Sequence, residues 1–175
     1  MTETAKPGCY YCNARFRSVF ADLSLDDTRS LDFSKNCISY KKGQLIFEED
    51  TYPHGLYCIN SGKVKITQTG PDGREQIVHL AKNGDIMGYR AILSGDKYSC
   101  SARAIEASTL CFIPTGVLFS MVEKNAGLAF KVIHLLSDEL KTAERTITDL
   151  AQKSVKERLA QGILLPKQSY GYEED

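Results

Sequence analysis

A chain of 175 residues can bury one sizeable domain, or one domain with an appendage. Its 22 basic and 22 acidic side chains cancel, so no overall positive field points to nucleic acid, and 42% hydrophobic with 25% charged residues is an ordinary globular balance. No apolar run approaches the ~20 residues of a membrane span, the N-terminus MTETAKPGCYYC has no apolar signal core, and six cysteines without such a signal read as reduced thiols; a cytoplasmic protein that meets no membrane is expected.

Residues 1–36 form an N-terminal helical and cysteine-bearing segment. Cys9-Tyr10-Tyr11-Cys12 has the C-x-x-C spacing that can chelate a metal or form a redox pair. Between 15 and 36 the pattern is of short amphipathic helices, one capped by Ser24 with Asp26 and Asp27 in its first turn, where negative charge suits the helix dipole. From Tyr40 the period becomes two. YKKGQLIFEED, GLYCINSGKVKITQTG and REQIVHLAKNGD are strands punctuated at Lys42-Gly43, Asn60-Ser61-Gly62 and Gly70-Pro71-Asp72-Gly73. Short strands at this spacing predict an antiparallel barrel or jelly roll over residues 37–114, closed by SARAIEASTLCFIP and Pro114. Within it, GDIMGYRAILSGDKYSCSARA runs from a strand through Gly88 into a short turn. Backbone N–H groups at the start of a short helix beside glycine are suited to an anion.

After Pro114 the period is helical, and 115–155 are read as helices. Thr115 is placed as the cap of a short one and Asn125 as the cap of a longer one. Along the longer helix Ala129, Ile133, Leu136, Leu140, Ala143, Ile147, Leu150 and Ser154 recur at alternating spacings of four and three, an a/d seam of more than three heptads. Glu139, Lys141, Glu144, Arg145 and Asp149 lie off it. A small barrel cannot cover so long and narrow a seam, so a partner helix, and hence a homodimer, is expected. A last stretch, KSVKERLAQGILL, is read as interrupted by Pro166, leaving Ile163, Leu164 and Leu165 with nothing to pack upon.

The pieces KKGQLIFEEDTYPHGLYCINSGKVKI, GREQIVHLAKNGDIMG, AILSG and STLCFIP together resemble the sensor half of the Crp/Fnr transcription regulators, from about residue 9 to the end of the chain. The resemblance implies a double-stranded β-helix (jelly roll) of cyclic-nucleotide-binding type followed by a long dimerisation helix. It also implies that residues 156–175 lead into a DNA-binding winged helix-turn-helix domain that these 175 residues do not include. DNA would then be met only through that domain.

The resemblance also assigns a site, with Gly88, Tyr89, Arg90, Ala91, Tyr98 and Ser99 as the ligand-binding positions. In nucleotide-binding members a Gly-Glu pair opens the phosphate cassette and its glutamate takes the ribose hydroxyl, while an Arg-Ser pair takes the cyclic phosphate. Here Gly88 matches, Tyr89 replaces the glutamate, and Tyr98-Ser99 stands for Arg-Ser. The stretch is either a structural turn or an altered site for a small effector; tight cyclic AMP binding is not expected. Arg103 reads as a strand residue with an ion pair, and His54, His79 and His134 as ordinary histidines. Cys111 matches a cluster cysteine of the iron–sulfur oxygen sensors of the family, with Cys9 and Cys12 as further candidates, but Ser18 stands near the place of a third N-terminal cysteine. No iron–sulfur cluster or other metal is therefore expected, and Cys37, Cys58, Cys100 and Cys111 are read as small buried hydrophobes. No catalytic constellation appears at informative spacing, so an enzyme is not expected. A sensor and dimerisation region of a DNA-binding regulator is the first reading; a stand-alone ligand-binding module acting through protein contacts is the second.

Overall fold

The chain enters through a 3-10 turn, Cys9–Tyr11, and a single helical turn α1, Asn13–Phe16, before α2, Leu25–Ser34. The Ser24 side chain accepts the Asp27 N–H, which caps α2 as its sequence requires. The computed structural model describes residues 8–170, with the backbone alone for 165–169; the readings made for 1–7, 171–175 and the Leu165 side chain lie outside the described residues.

Eight strands follow in two antiparallel four-stranded sheets. They are β1 Asn36–Tyr40, β2 Leu45–Phe47, β3 Gly55–Ser61, β4 Val64–Thr69, β5 Glu75–Ala81, β6 Ile86–Met87, β7 Ser101–Ala104 and β8 Ser108–Pro114. The short helix α3, Tyr89–Ser94, separates β6 from β7. The strand orders β1-β8-β3-β6 and β2-β7-β4-β5 are those of the expected jelly roll. Between the sheets lies a core that includes Tyr40, Phe47, Ile59, Ile66, Tyr98 and Leu110.

Strand alternation sends the other residues of β3 and β8 to the opposite face, where α1, α2 and α4 (Thr115–Lys124) pack. Phe20, Leu31, Leu56, Ile113 and Leu118 are all at most 2% exposed, so burial of each stabilises the fold by roughly 1.5–3 kcal/mol. This second core fixes the N-terminal segment on the sheet.

Several expectations need correction. β1 starts at Asn36, four residues before the visible alternation, because only Ile38 and Tyr40 of its side chains join the inner core. Thr115 is the first helical residue of α4 and makes no capping bond. Cys37 and Cys111 are joined as a disulfide, so neither is a plain buried thiol. Arg103 bonds the Gly43 carbonyl (3.2 Å).

Residues 129–170 belong to a separate compact unit. Helix α5, Ala126–Gln152, is capped by Asn125, whose Oδ1 accepts the Leu128 N–H at 3.0 Å. Ser154 falls beyond α5 and caps the next helix instead: its N–H donates to Glu157 Oε2 (2.8 Å), and the Glu157 N–H donates to its Oγ (3.4 Å). The heptad seam therefore ends at Leu150. Helix α6, Val155–Tyr170, continues through Pro166, contrary to expectation. A proline removes one bond, here to the carbonyl of exposed Gly162, which water can take.

Candidate functional site

Two places gather chemistry-bearing side chains. At the first, β6 delivers the chain to Gly88, whose φ of 82° is a left-handed conformation that turns it into α3. A Cβ at Gly88 would lie 3.2 Å from Cε1 of Tyr98 and 3.3 Å from its hydroxyl, so the phenol rests directly against the start of α3. Tyr98 is pinned there by its own backbone: its N–H donates to the Thr51 carbonyl and its carbonyl accepts the Asp50 N–H, both at 2.9 Å.

The Tyr98 ring stacks on Phe47 with centroids 4.2 Å apart and planes at 18°, and its hydroxyl donates to the Gly55 carbonyl at 3.3 Å. Phe47 stacks in turn near Tyr57 (5.9 Å), and Tyr57 meets Phe112 at 5.3 Å. Burial, with smaller contributions from Tyr57 and Cys100, pushes the Tyr98 hydroxyl far above its ordinary pKa, so the group is a neutral donor. Tyr89 and Ala91 are buried as well, whereas Arg90 and Ser99 are exposed. Burial pushes up the pKa of the Cys100 thiol, and the nearby Arg90 and Ser99 side chains oppose that rise. Of the six cassette positions, Tyr89, Ala91 and Tyr98 are thus buried and Gly88 half-buried, while Arg90 and Ser99 are an exposed polar pair that meets at Cys100.

The second place lies on the opposite face of the β1-β8-β3 sheet. A cavity of about 20 Å³, roughly one water in size, is lined by Cys9, Cys12, Cys58 and Cys111 together with Lys35 and Asn60. The two cysteines of the C-x-x-C pair and Cys111, far apart in sequence, do come together. The Lys35 ammonium, 4% exposed, donates to Cys9 Sγ (2.9 Å) and to Asp32 Oδ1 (2.8 Å), while the Cys9 N–H also donates to Asp32 (2.9 Å). Arg15, likewise buried, donates to the carbonyls of Cys9, Phe20 and Ala21 at 2.8–3.0 Å, which satisfies the backbone of the N-terminal turns. Asn60 Nδ2 donates to Cys12 Sγ at 3.2 Å.

As arranged, this donor set does not fit a four-thiolate iron–sulfur cluster. An ammonium contacts the Cys9 sulfur, an amide occupies Cys12, and Cys111 is bonded to Cys37. Ser18 is used in the turn, donating to the Arg15 carbonyl and accepting the Phe20 N–H. Among the described residues no three His, Cys, Asp or Glu groups are placed to hold a metal ion.

The sequence reading missed Lys35, Asp32, Asn60 and the roles of Cys37 and Cys58. The available signal was parity: each of Cys37, Cys58 and Cys111 is a neighbour of inward residues (Ile38, Ile59, Leu110) and so must face the other way.

The sequence profile of the family described as "cyclic nucleotide-binding domain" matches residues 37–125. The chain is 35% identical over 120 residues to the fumarate and nitrate reduction regulatory protein of Vibrio cholerae serotype O1, covering 69% of this chain and 48% of that protein. It is 32% identical over 156 residues to the regulatory protein HlyX of Actinobacillus pleuropneumoniae, covering 87% and 63%. The chain thus spans about half to under two thirds of the length of these relatives. Among solved structures, the Thermus thermophilus catabolite activator protein is similar with a TM-score of 0.68 at 22% identity, over 87% of this chain and 71% of that one. The sensor domain of the transcriptional regulator DNR from Pseudomonas aeruginosa is similar with a TM-score of 0.64 at 23% identity, over 78% and 90%. With the jelly roll, the cassette loop and the long helix in place, the chain belongs to the cyclic nucleotide-binding domain family and, within it, to the Crp/Fnr group.

Proposed function

We propose that these residues are the effector-sensing and dimerisation part of a cytoplasmic, DNA-binding transcription regulator of the Crp/Fnr type, in which the cyclic-nucleotide cassette has diverged. The regulator is a homodimer through α5, and DNA is read by a domain outside these 175 residues. It is a sensor and not an enzyme, in keeping with relatives that are named as regulatory proteins.

The observation that carries the divergence is Tyr98. At the position where the family places the phosphate-binding arginine, this chain has a phenol turned inward onto Phe47 and against Gly88. Tyr89, at the place of the ribose-binding acid, is 2% exposed. A cyclic phosphate would lose a charge-assisted contact of roughly 1.5–3 kcal/mol, about 10- to 150-fold in affinity. It would also have to displace a packed aromatic side chain. The effector that suits this site is a less charged, aromatic-compatible small molecule, or the cassette serves only as structure.

Isothermal calorimetry of the 175-residue chain with cyclic AMP and with cyclic GMP should show no submicromolar binding. A submicromolar dissociation constant for either would overturn the reading of the cassette.

A further inference from the structure

The cysteines on the outer face of the first sheet fall in a row. Cys111 on β8 is directly opposite Cys37 on β1 on one side and directly opposite Cys58 on β3 on the other. Directly opposed residues of antiparallel strands share a face, and the Cα atoms of Cys37 and Cys111 are 4.0 Å apart. Cys111 therefore has a cysteine directly beside it on each neighbouring strand, both on the same face of the sheet. It is bonded to Cys37, while Cys58 is a free thiol in the cavity that Cys111 also lines.

We propose that this row is a thiol–disulfide exchange site, with Cys111 as a pivot whose bridge to Cys37 is opened by a dithiol reductant and which can pair with Cys58 instead. The site stands independently of what the cassette binds.

A thiolate of the dithiol attacks Cys37 Sγ, forms a mixed disulfide and expels the Cys111 sulfur as a thiolate, which takes up a proton. The second thiol of the reductant then closes on the first, expelling Cys37, which takes the second proton; two electrons have passed to the protein and the dithiol leaves as its own disulfide. Access favours attack at Cys37, which is half-buried and on the edge strand of its sheet, whereas Cys111 is buried. In the exchange, the Cys58 thiolate attacks Cys111 Sγ, the Cys37–Cys111 bond breaks, and the proton lost by Cys58 ends on Cys37.

Burial pushes the Cys58 thiol up to about 12, which keeps it protonated and slows its attack on Cys111. The Lys35 ammonium opposes that rise. In a reducing compartment a disulfide so placed is a responsive bond, not a permanent staple.

The test uses the whole 175-residue chain, equilibrated natively in oxidised glutathione or in dithiothreitol, quenched in acid, labelled with N-ethylmaleimide in denaturant and mapped by peptide mass. Wild type should show linked Cys37 and Cys111 peptides after oxidised glutathione. Dithiothreitol should leave both fully labelled, with the far-UV circular dichroism unchanged. Labelling of both after oxidised glutathione, or a bridge that opens only in denaturant, would overturn the site. Cys37→Ser in oxidised glutathione should give a Cys58–Cys111 linkage that the Cys37→Ser/Cys58→Ala variant lacks. A soluble Cys37→Ser protein with only glutathionylated Cys111 would overturn the pivot, and the wild-type arm decides the opening step whether or not that variant folds.

Discussion

Lys35 shows how much structure hangs on a side chain that the sequence presents as one of many surface lysines. It ends α2, yet its ammonium is nearly inaccessible and is satisfied by Asp32 and by the Cys9 sulfur. Burial alone would push the Asp32 carboxyl up and the Lys35 ammonium down; the hydrogen bonds between them, and those to Cys9, win in both cases. Asp32 is held below the usual carboxylate range and Lys35 above the usual lysine range. A depressed carboxylate contributes stability above its unfolded pKa of ~4, and that contribution disappears as pH falls through the lower folded value; a raised ammonium contributes below ~10.4, and its share disappears as pH rises through the higher folded value. Asp32→Asn leaves a buried ammonium without its carboxylate, a change that costs about 3–5 kcal/mol for a fully buried pair. With the Asp32 side chain 30% exposed, about 2–3 kcal/mol is expected at pH 7. Urea titrations should show that difference near neutrality and its loss well below pH 4. An equal difference at pH 7 and at the acid end would show that the pair is not its source.

The long helix α5 carries its apolar side chains largely in the open. Along α5, Ile133, Leu140, Ile147 and Leu150 are 56–66% exposed, and Ala143 between them is exposed too. In the proposed homodimer these four large aliphatic side chains, on one stripe of a 27-residue helix, would be covered by a second copy of the same stripe, the small Ala129 and Ala143 allowing close approach. Leu140→Glu with Ile147→Glu places two charges per chain in that interface, so light scattering should report a dimer for wild type and a monomer for the double variant at micromolar concentration. A monomeric wild type would remove the claim. This seam was legible in the sequence because helical periodicity is local, as were Ser24, Asn125 and the glycine-marked strand turns. The thiol row was not. Its members come from β1, β8 and β3, and 74 residues separate Cys37 from Cys111, so only the sheet order brings them together. Tyr98 was half legible: its identity said that an arginine was missing, but its inward turn depends on backbone bonds to Asp50 and Thr51.

For the chain as a whole, the balance of 22 basic and 22 acidic groups bears directly on nucleic acid. Affinity for DNA rests on phosphate contacts, and each phosphate neutralised contributes about −0.9 to the slope of log K against log salt. The most concentrated basic cluster after α5 is Lys153, Lys156 and Arg158, interrupted by Glu157. Lys153 is committed to Asp149 at 2.8 Å, and Asp149 also accepts from Gln161 at 3.0 Å, a small network that ties the end of α5 to α6. That leaves Lys156 and Arg158 exposed on α6, enough for roughly two phosphate contacts per chain. The same helix leaves Val155, Leu159 and Ile163 65–72% exposed, which is not the surface of a recognition helix that reads base edges through polar side chains. The 175-residue chain should therefore bind DNA weakly and without sequence preference. Gel shifts across 50–200 mM salt should give a slope no steeper than about −2 per chain, or about −4 for the dimer. Lys156→Ala with Arg158→Ala should weaken the residual binding and flatten its salt slope. Nanomolar binding that discriminates one operator from scrambled DNA at 150 mM salt would place the reading surface within these residues and defeat the assignment of DNA recognition to a separate domain.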